Sequence, residues 1–300
     1  MTSTAPMPHA SNSPAELLAD RQADTQVNAQ TPAAHTAREL RQRTARREVT
    51  ERRRTTQHLR QALVTGGLKL HYQPLVSLQS GFIRGAEAIV RLQHSRRGLI
   101  AAANFMPIAE RSDLITDIGG WMLHQACTEA AAWPGTLSVA LNLSQRHVQS
   151  GRLVRQLLEC LSASGLSPDR LELELSEAML IDDNDDTVFS LKALQGLGVR
   201  MALNNFGTGY ASLSALKRLP ITTLRLDRTL IHNLDEGTGT AIVQAAINAG
   251  HALGCAVLAD GVECESQFQR LTEIGCDEGQ GPYFNQPITA AEIAAMLAPG

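Results

Sequence analysis

RLELELS at residues 170–176 is a short, apolar, β-prone run; a stretch of helical period follows at 185–197, and VRMALNN at 199–205 restores the strand character. This strand–helix–strand succession decides the fold, because strands that alternate with helices argue for a largely parallel sheet. The pattern extends in both directions. Upstream lie LKLHYQ (68–73), GAEAIVR (85–91) and TLSVALN (136–142), and downstream TTLRLD (222–227) and CAVLAD (255–260). Further helical candidates fall at 115–133, 151–164, 238–253 and 265–274. Seven or eight such units in one domain predict an α/β fold closed into a TIM-like (β/α)8 barrel rather than an open sheet. Several runs end on a polar residue, namely Asn142, Glu174, Asn204, Asp227 and Asp260. A barrel gathers those ends on one face, where sites of this architecture are built.

Outside the barrel the composition changes. Residues 1–35 are rich in Ala, Thr, Ser, Pro and Gln and almost free of large apolar side chains, so a disordered tail is expected. Residues 36–59 read as a basic helical segment and 60–300 as the barrel domain. Nine arginines fall within 36–60 against Glu39, Glu48 and Glu51, while the net charge of the whole chain is −3. The barrel is therefore acidic, and the arginine run reads as a solvated helix leading into it. The basic charge lies on one short element without interleaved aromatics, so no nucleic-acid footprint is expected.

With 43% hydrophobic and 19% charged residues in 300, the chain is neither wholly disordered nor collagen-like nor a small disulfide scaffold. Five scattered cysteines, Cys127, Cys160, Cys255, Cys264 and Cys276, form no CxxC pair and suit reduced thiols in a cytoplasmic protein. No secretory signal is evident at the N-terminus. The most apolar window, Ala241 to Ala259, is broken by Gln244, Asn248 and His251, so no membrane span is expected.

Seven segments in order carry a resemblance: EAI (87–89), NLS (142–144), ELSE (174–177), NNFGTGY (204–210), LRLDR (224–228), ADGVE (259–263) and QG (280–281), flanked by YQPLVSL (72–78) and FMPIAE (105–110). The set resembles the EAL domain, a TIM-like barrel family that hydrolyses the bacterial messenger cyclic di-GMP to linear pGpG. Such chemistry uses water held between two divalent cations, which need several carboxylate oxygens. The resemblance implies Glu87, Asn142, Glu174, Asn204 and Asn205 at metal-ligand positions, Glu87, Arg225 and Asp260 at catalytic ones, and Gln73, Arg91, Asp227, Glu263 and Gln280 at nucleotide-contacting ones. Glu177 matches a glutamate that supports the loop after the strand at 199–205.

The departures fall on catalysis. NNFG stands where the family has DDFG, so Asn204 and Asn205 replace two metal-holding aspartates; Arg225 replaces a lysine and Asp260 a glutamate. An amide oxygen ligates a divalent cation without charge, and an arginine cannot serve as a proton-transfer group. The expectation is a cyclic di-GMP receptor on a catalytically inactive barrel, requiring no cofactor to bind and acting on an unidentified protein partner. Two alternatives stay open: a weak phosphodiesterase using Mg²⁺ or Mn²⁺ to yield pGpG, and a nucleotide-independent protein-interaction regulator. A homodimer also stays open. Asp182, Asp183, Asp185 and Asp186 resemble half a calcium loop but lack the glycine and distal glutamate of one, and read as a solvated helix start.

Overall fold

The computed structural model describes residues 32–180, 185–207, 216–234 and 237–297. The chain divides into two units, Met1–Arg54 and Thr55–Gly300. Helix α1 (Pro32–Thr65) begins on proline, whose missing N–H costs nothing at a first helical position, and contains no glycine. It starts inside the segment expected to be a tail, of which residues 1–31 lie outside the described residues. The end of α1 is set by Gly66 at φ 72°, and the Gly67 N–H returns to the Ala62 carbonyl at 2.8 Å, a Schellman closure.

Eight strands close the barrel: β1 (Leu68–Ser77), β2 (Ile83–His94), β4 (Ser138–Asn142), β5 (Leu171–Ser176), β6 (Arg200–Phe206), β7 (Thr223–Leu226), β8 (Ala256–Asp260) and β9 (Glu278–Gln280). Every neighbouring pair from β2 to β9 is parallel, whereas β1 runs antiparallel to both β2 and β9 and closes the circle. Two further strands, β3 (Gly98–Ala101) on β2 and β10 (Ile288–Thr289) on β1, extend the hairpin beyond the barrel. All seven expected runs are strands. The antiparallel first strand follows from its link to β2: the short turn of residues 78–82 makes a hairpin and leaves no room for a crossover helix.

The helices cover the outside. They are α2 (Met106–Ala109), α3 (Leu114–Ala131), α4 (Gln145–Gln149), α5 (Leu153–Ser164), α6 (Asp185–Gly196), α7 (Arg228–His232), α8 (Gly239–Ala252), α9 (Glu265–Glu273) and α10 (Ala290–Leu297). The five helical candidates correspond to α3, α5, α6, α8 and α9. Asp185 opens α6, while Asp182 and Asp183 of the acidic cluster lie outside the described residues.

The alternation in RLELELS now has a physical content. Leu171, Leu173 and Leu175 belong to the main hydrophobic cluster between strands and helices. Glu172 and Glu174, one pleat over, point the other way, into the barrel, and are both buried. Beneath the site the interior is plugged by Leu75, Ala140 and Leu258. Lower still, Glu172 accepts from Thr223 Oγ1 at 3.0 Å and lies 4.0 Å from the Arg200 guanidinium. The described barrel interior is thus a packed core beneath its C-terminal mouth. Among the described residues no helix is long and apolar enough to cross a membrane, and the five cysteines are free thiols, four of them buried.

Candidate functional site

The strand ends gather at one mouth, where Asn142, Asn204 and Asp260 line a cavity and Asp227 does not. A cavity of about 200 Å³ at the mouth is lined by Glu87, Asn142, Asn204, Asn205, Arg225, Leu226 and Asp260. The lining residues come from five strands, β2, β4, β6, β7 and β8, with parallel register between neighbours: Glu87 sits opposite Ala140, Asn142 opposite Glu174, and Ser176 opposite Asn204. Asn204 and Asn205 are neighbours on β6, and consecutive strand residues ordinarily face opposite sides. The β6–β7 register shifts between Leu203 and Phe206, and Asn205 takes φ 59° there. This left-handed residue re-aims the chain so that both asparagines line the cavity, and asparagine is among the few residue types that tolerate it.

Arg225 occupies the middle. Its guanidinium donates to Glu174, to Gln280 and, at 2.8 Å, to Glu87. The arginine side chain is 3% exposed, Glu174 0% and Glu87 13%, so the pairs are desolvated and held by geometry rather than by loose attraction. Glu87 also accepts from Asn142 Nδ2 at 2.8 Å and from Gln280 Nε2 at 2.8 Å. Asn204 Nδ2 donates to Glu174 at 2.8 Å and to Asn142 Oδ1 at 2.9 Å. Gln280 reaches Gln73 at 3.2 Å, and Gln73 in turn donates to the Asn285 carbonyl at 3.1 Å.

The electrostatics follow from burial. Desolvation pushes the Glu174 carboxyl up to about 8, with Glu87 adding to the rise and Arg225 opposing it. Desolvation also raises Asp260, again against the pull of Arg225. Arg225 itself is held in its charged form by Glu174 and Glu87, which outweigh its own desolvation.

The remaining predicted residues are placed unevenly. Arg91 lies on the same face of β2 as Glu87, four residues nearer the strand end, half-exposed and opposite Lys69 of β1. Asp227 caps α7: one carboxylate oxygen accepts from the Thr229 N–H at 2.8 Å and from its hydroxyl at 2.5 Å. Glu263 is exposed, 4.0 Å from His232. None of these three lines the cavity. Glu177 accepts from the Gly207 N–H at 3.2 Å and so fixes the start of the loop after β6, whose Thr208, Gly209 and Tyr210 lie outside the described residues. The sequence reading missed that Gln280 bonds both Arg225 and Glu87; only the closure of β9 onto β1 brings it there.

The donor set does not fit a pair of divalent cations. Two bridging carboxylates are absent, and both oxygens of Glu87 and both of Glu174 already accept from N–H donors. Among the described residues, no group of three or more His, Cys, Asp or Glu side chains is arranged to hold a metal ion.

Residues 56–287 match the model of the EAL domain. An uncharacterized protein of Sinorhizobium fredii, y4lL, is 39% identical over 247 residues, covering 82% of this chain and 30% of its own length. The bifunctional diguanylate cyclase/cyclic di-GMP phosphodiesterase MucR of Pseudomonas aeruginosa is 38% identical over 245 residues, covering 80% of this chain and 36% of its own. A solved PaMucR phosphodiesterase in complex with c-di-GMP superposes with a TM-score of 0.77 at 37% identity, over 80% of this chain and 99% of that one. The chain spans about a third of the length of the curated relatives it matches.

Proposed function

The chain belongs to the EAL domain family, and from that membership we propose that it is a receptor for cyclic di-GMP whose barrel does not hydrolyse the nucleotide. One observation carries this reading: the glutamates that would hold cations are tied up by Arg225, Asn142 and Asn204, whereas Arg91 stands half-exposed on the rim. An arginine fork is suited to a phosphate or a guanine edge. The PaMucR phosphodiesterase, whose fold this chain shares, was solved with c-di-GMP, which supports the ligand class.

A receptor needs no cation to bind, and its output is a changed contact with a protein partner, made through the barrel or the arginine-bearing α1. The test is a calorimetric titration of cyclic di-GMP into the full chain in EDTA. Saturable binding is expected, weakened about 10- to 100-fold by Arg91→Ala, the loss typical of one charge-assisted contact. Appearance of pGpG with Mn²⁺ and no binding without it would make the protein a weak phosphodiesterase instead. Silence under both conditions would leave a nucleotide-independent interaction module.

A further inference from the structure

Five side chains on five successive strands, Glu87 on β2, Asn142 on β4, Glu174 on β5, Asn204 on β6 and Arg225 on β7, are linked into a ring that returns to its start. Arg225 holds one oxygen of Glu87, and Asn142 Nδ2 holds the other. Asn204 Nδ2 bridges Asn142 Oδ1 and one oxygen of Glu174, and Arg225 closes the circuit on the other oxygen of Glu174.

The ring closes only with these residue types at 204 and 225. With its Nδ2 on Glu87, Asn142 turns its Oδ1 toward β6 and needs a donor there. Asn204 supplies it. An ionised carboxylate at 204 has only acceptors and would face both Asn142 Oδ1 and Glu174. An ammonium at 225 is a compact charge without the planar fork that spans two carboxylates. The acceptor left over is Asn204 Oδ1, which is buried with no hydrogen-bond partner. An aspartate at this position would present a charged oxygen there for a cation, so the orphan marks where the replacement is incomplete.

We infer that Asn204 and Arg225 form one coupled unit that takes the place of a divalent cation, shutting the site to metal ions unless both positions change together. This differs from a simple loss of ligands. Were ligand loss the whole account, each restored aspartate would add metal affinity by itself. In the closed ring, Asn204→Asp breaks two hydrogen bonds, sets an acceptor against Asn142 Oδ1 and Glu174 Oε2, and gains nothing while the guanidinium holds both glutamates.

Thermal melting of the full chain in MnCl₂ and in EDTA tests the inference without any nucleotide, so its failure is separable from failure of the receptor reading. The melting temperature of the wild type is expected to stay within about 1 °C on adding millimolar Mn²⁺. Asn204→Asp is expected to lower it by roughly 4–8 °C, with no recovery in Mn²⁺. The triple change Asn204→Asp, Asn205→Asp, Arg225→Lys is expected to regain at least about 4 °C on adding Mn²⁺. A Mn²⁺-stabilised wild type, a single variant as responsive as the triple, or an unresponsive triple would each overturn the coupling. Should the single variant not fold, calorimetric titration of Mn²⁺ into wild type and Arg225→Lys decides: neither is expected to take up the ion, and saturable uptake by either refutes the ring.

Discussion

The mouth of the barrel holds two layers that share strands but not physics. Below, Glu87, Asn142, Glu174, Asn204, Arg225 and Gln280 bond one another, and the charged members are almost wholly desolvated. Above and around them, Arg91 is half-exposed, Glu263 is exposed, and Asp227 spends one oxygen on capping a short helix. In the lower layer a side chain's value lies in its neighbours, because a buried charge without its partner is costly. In the rim a side chain is solvated whether or not a ligand comes, so it is available for recognition at little cost to stability. Asn204 and Arg225 lie in the lower layer, whereas Arg91, Asp227 and Glu263 lie outside it.

The widest separation of the two layers is expected in stability. Arg225→Ala leaves Glu87 and Glu174 buried without a counter-charge, and urea unfolding is expected to show a loss of about 3–5 kcal/mol. Arg91→Ala on the rim is expected to stay within about 0.5 kcal/mol of the wild type. Equal effects at the two positions would erase the distinction between the layers.

The second expected effect is on pH dependence. Glu174 and Asp260 are both raised in the folded state by burial, Glu174 to about 8. A carboxyl whose folded value lies above its unfolded value binds more protons when folded, so stability is fully present below the unfolded range and lost as pH climbs toward 8. Denaturation midpoints are therefore expected to fall between pH 5 and pH 8, and Glu174→Gln to flatten the slope. A midpoint that rises over that interval would show that Arg225, not burial, sets the titration of the lower layer.

Smaller effects sharpen the boundary. Asp227→Ala removes the cap of α7 and is expected to cost about 1–2 kcal/mol in thermal unfolding, a local price unrelated to the ring. Asn205→Val forces a β-branched residue into φ 59° and is expected to cost about 1–2 kcal/mol, while Asn205→Gly stays near neutral. If valine were tolerated as well as glycine, the bulge that turns both asparagines into the cavity would not be what holds them there.

Much of this was legible in the residues. The runs at 136–142, 170–176, 199–205, 222–227 and 255–260 became neighbouring parallel strands because each has the length and apolar character of a buried strand. Their polar last residues converged on one mouth because a parallel barrel leaves no other place for them. Gln280 in a three-residue strand carried no periodicity to read, and the strands of residues 98–101 and 288–289 were too short to register. The direction of β1 was hidden as well, since LKLHYQ looks the same whichever way it runs.

What the amino-acid order determined by itself was the succession of strands and helices, the family, and the presence of amides at 204 and 205 and an arginine at 225. These are properties of residue type and spacing, which need no partner to be defined. Only the tertiary structure decided what those substitutions do for one another. Residues 87, 142, 174, 204 and 225 are dispersed along the chain, and whether an amide donates or accepts depends on the atom it meets. The barrel register brings them within 3 Å of one another, excludes water and leaves each N–H and oxygen to be matched by a neighbour. Substitutions that read singly as the loss of a metal centre prove, in that register, to be the parts of a closed ring.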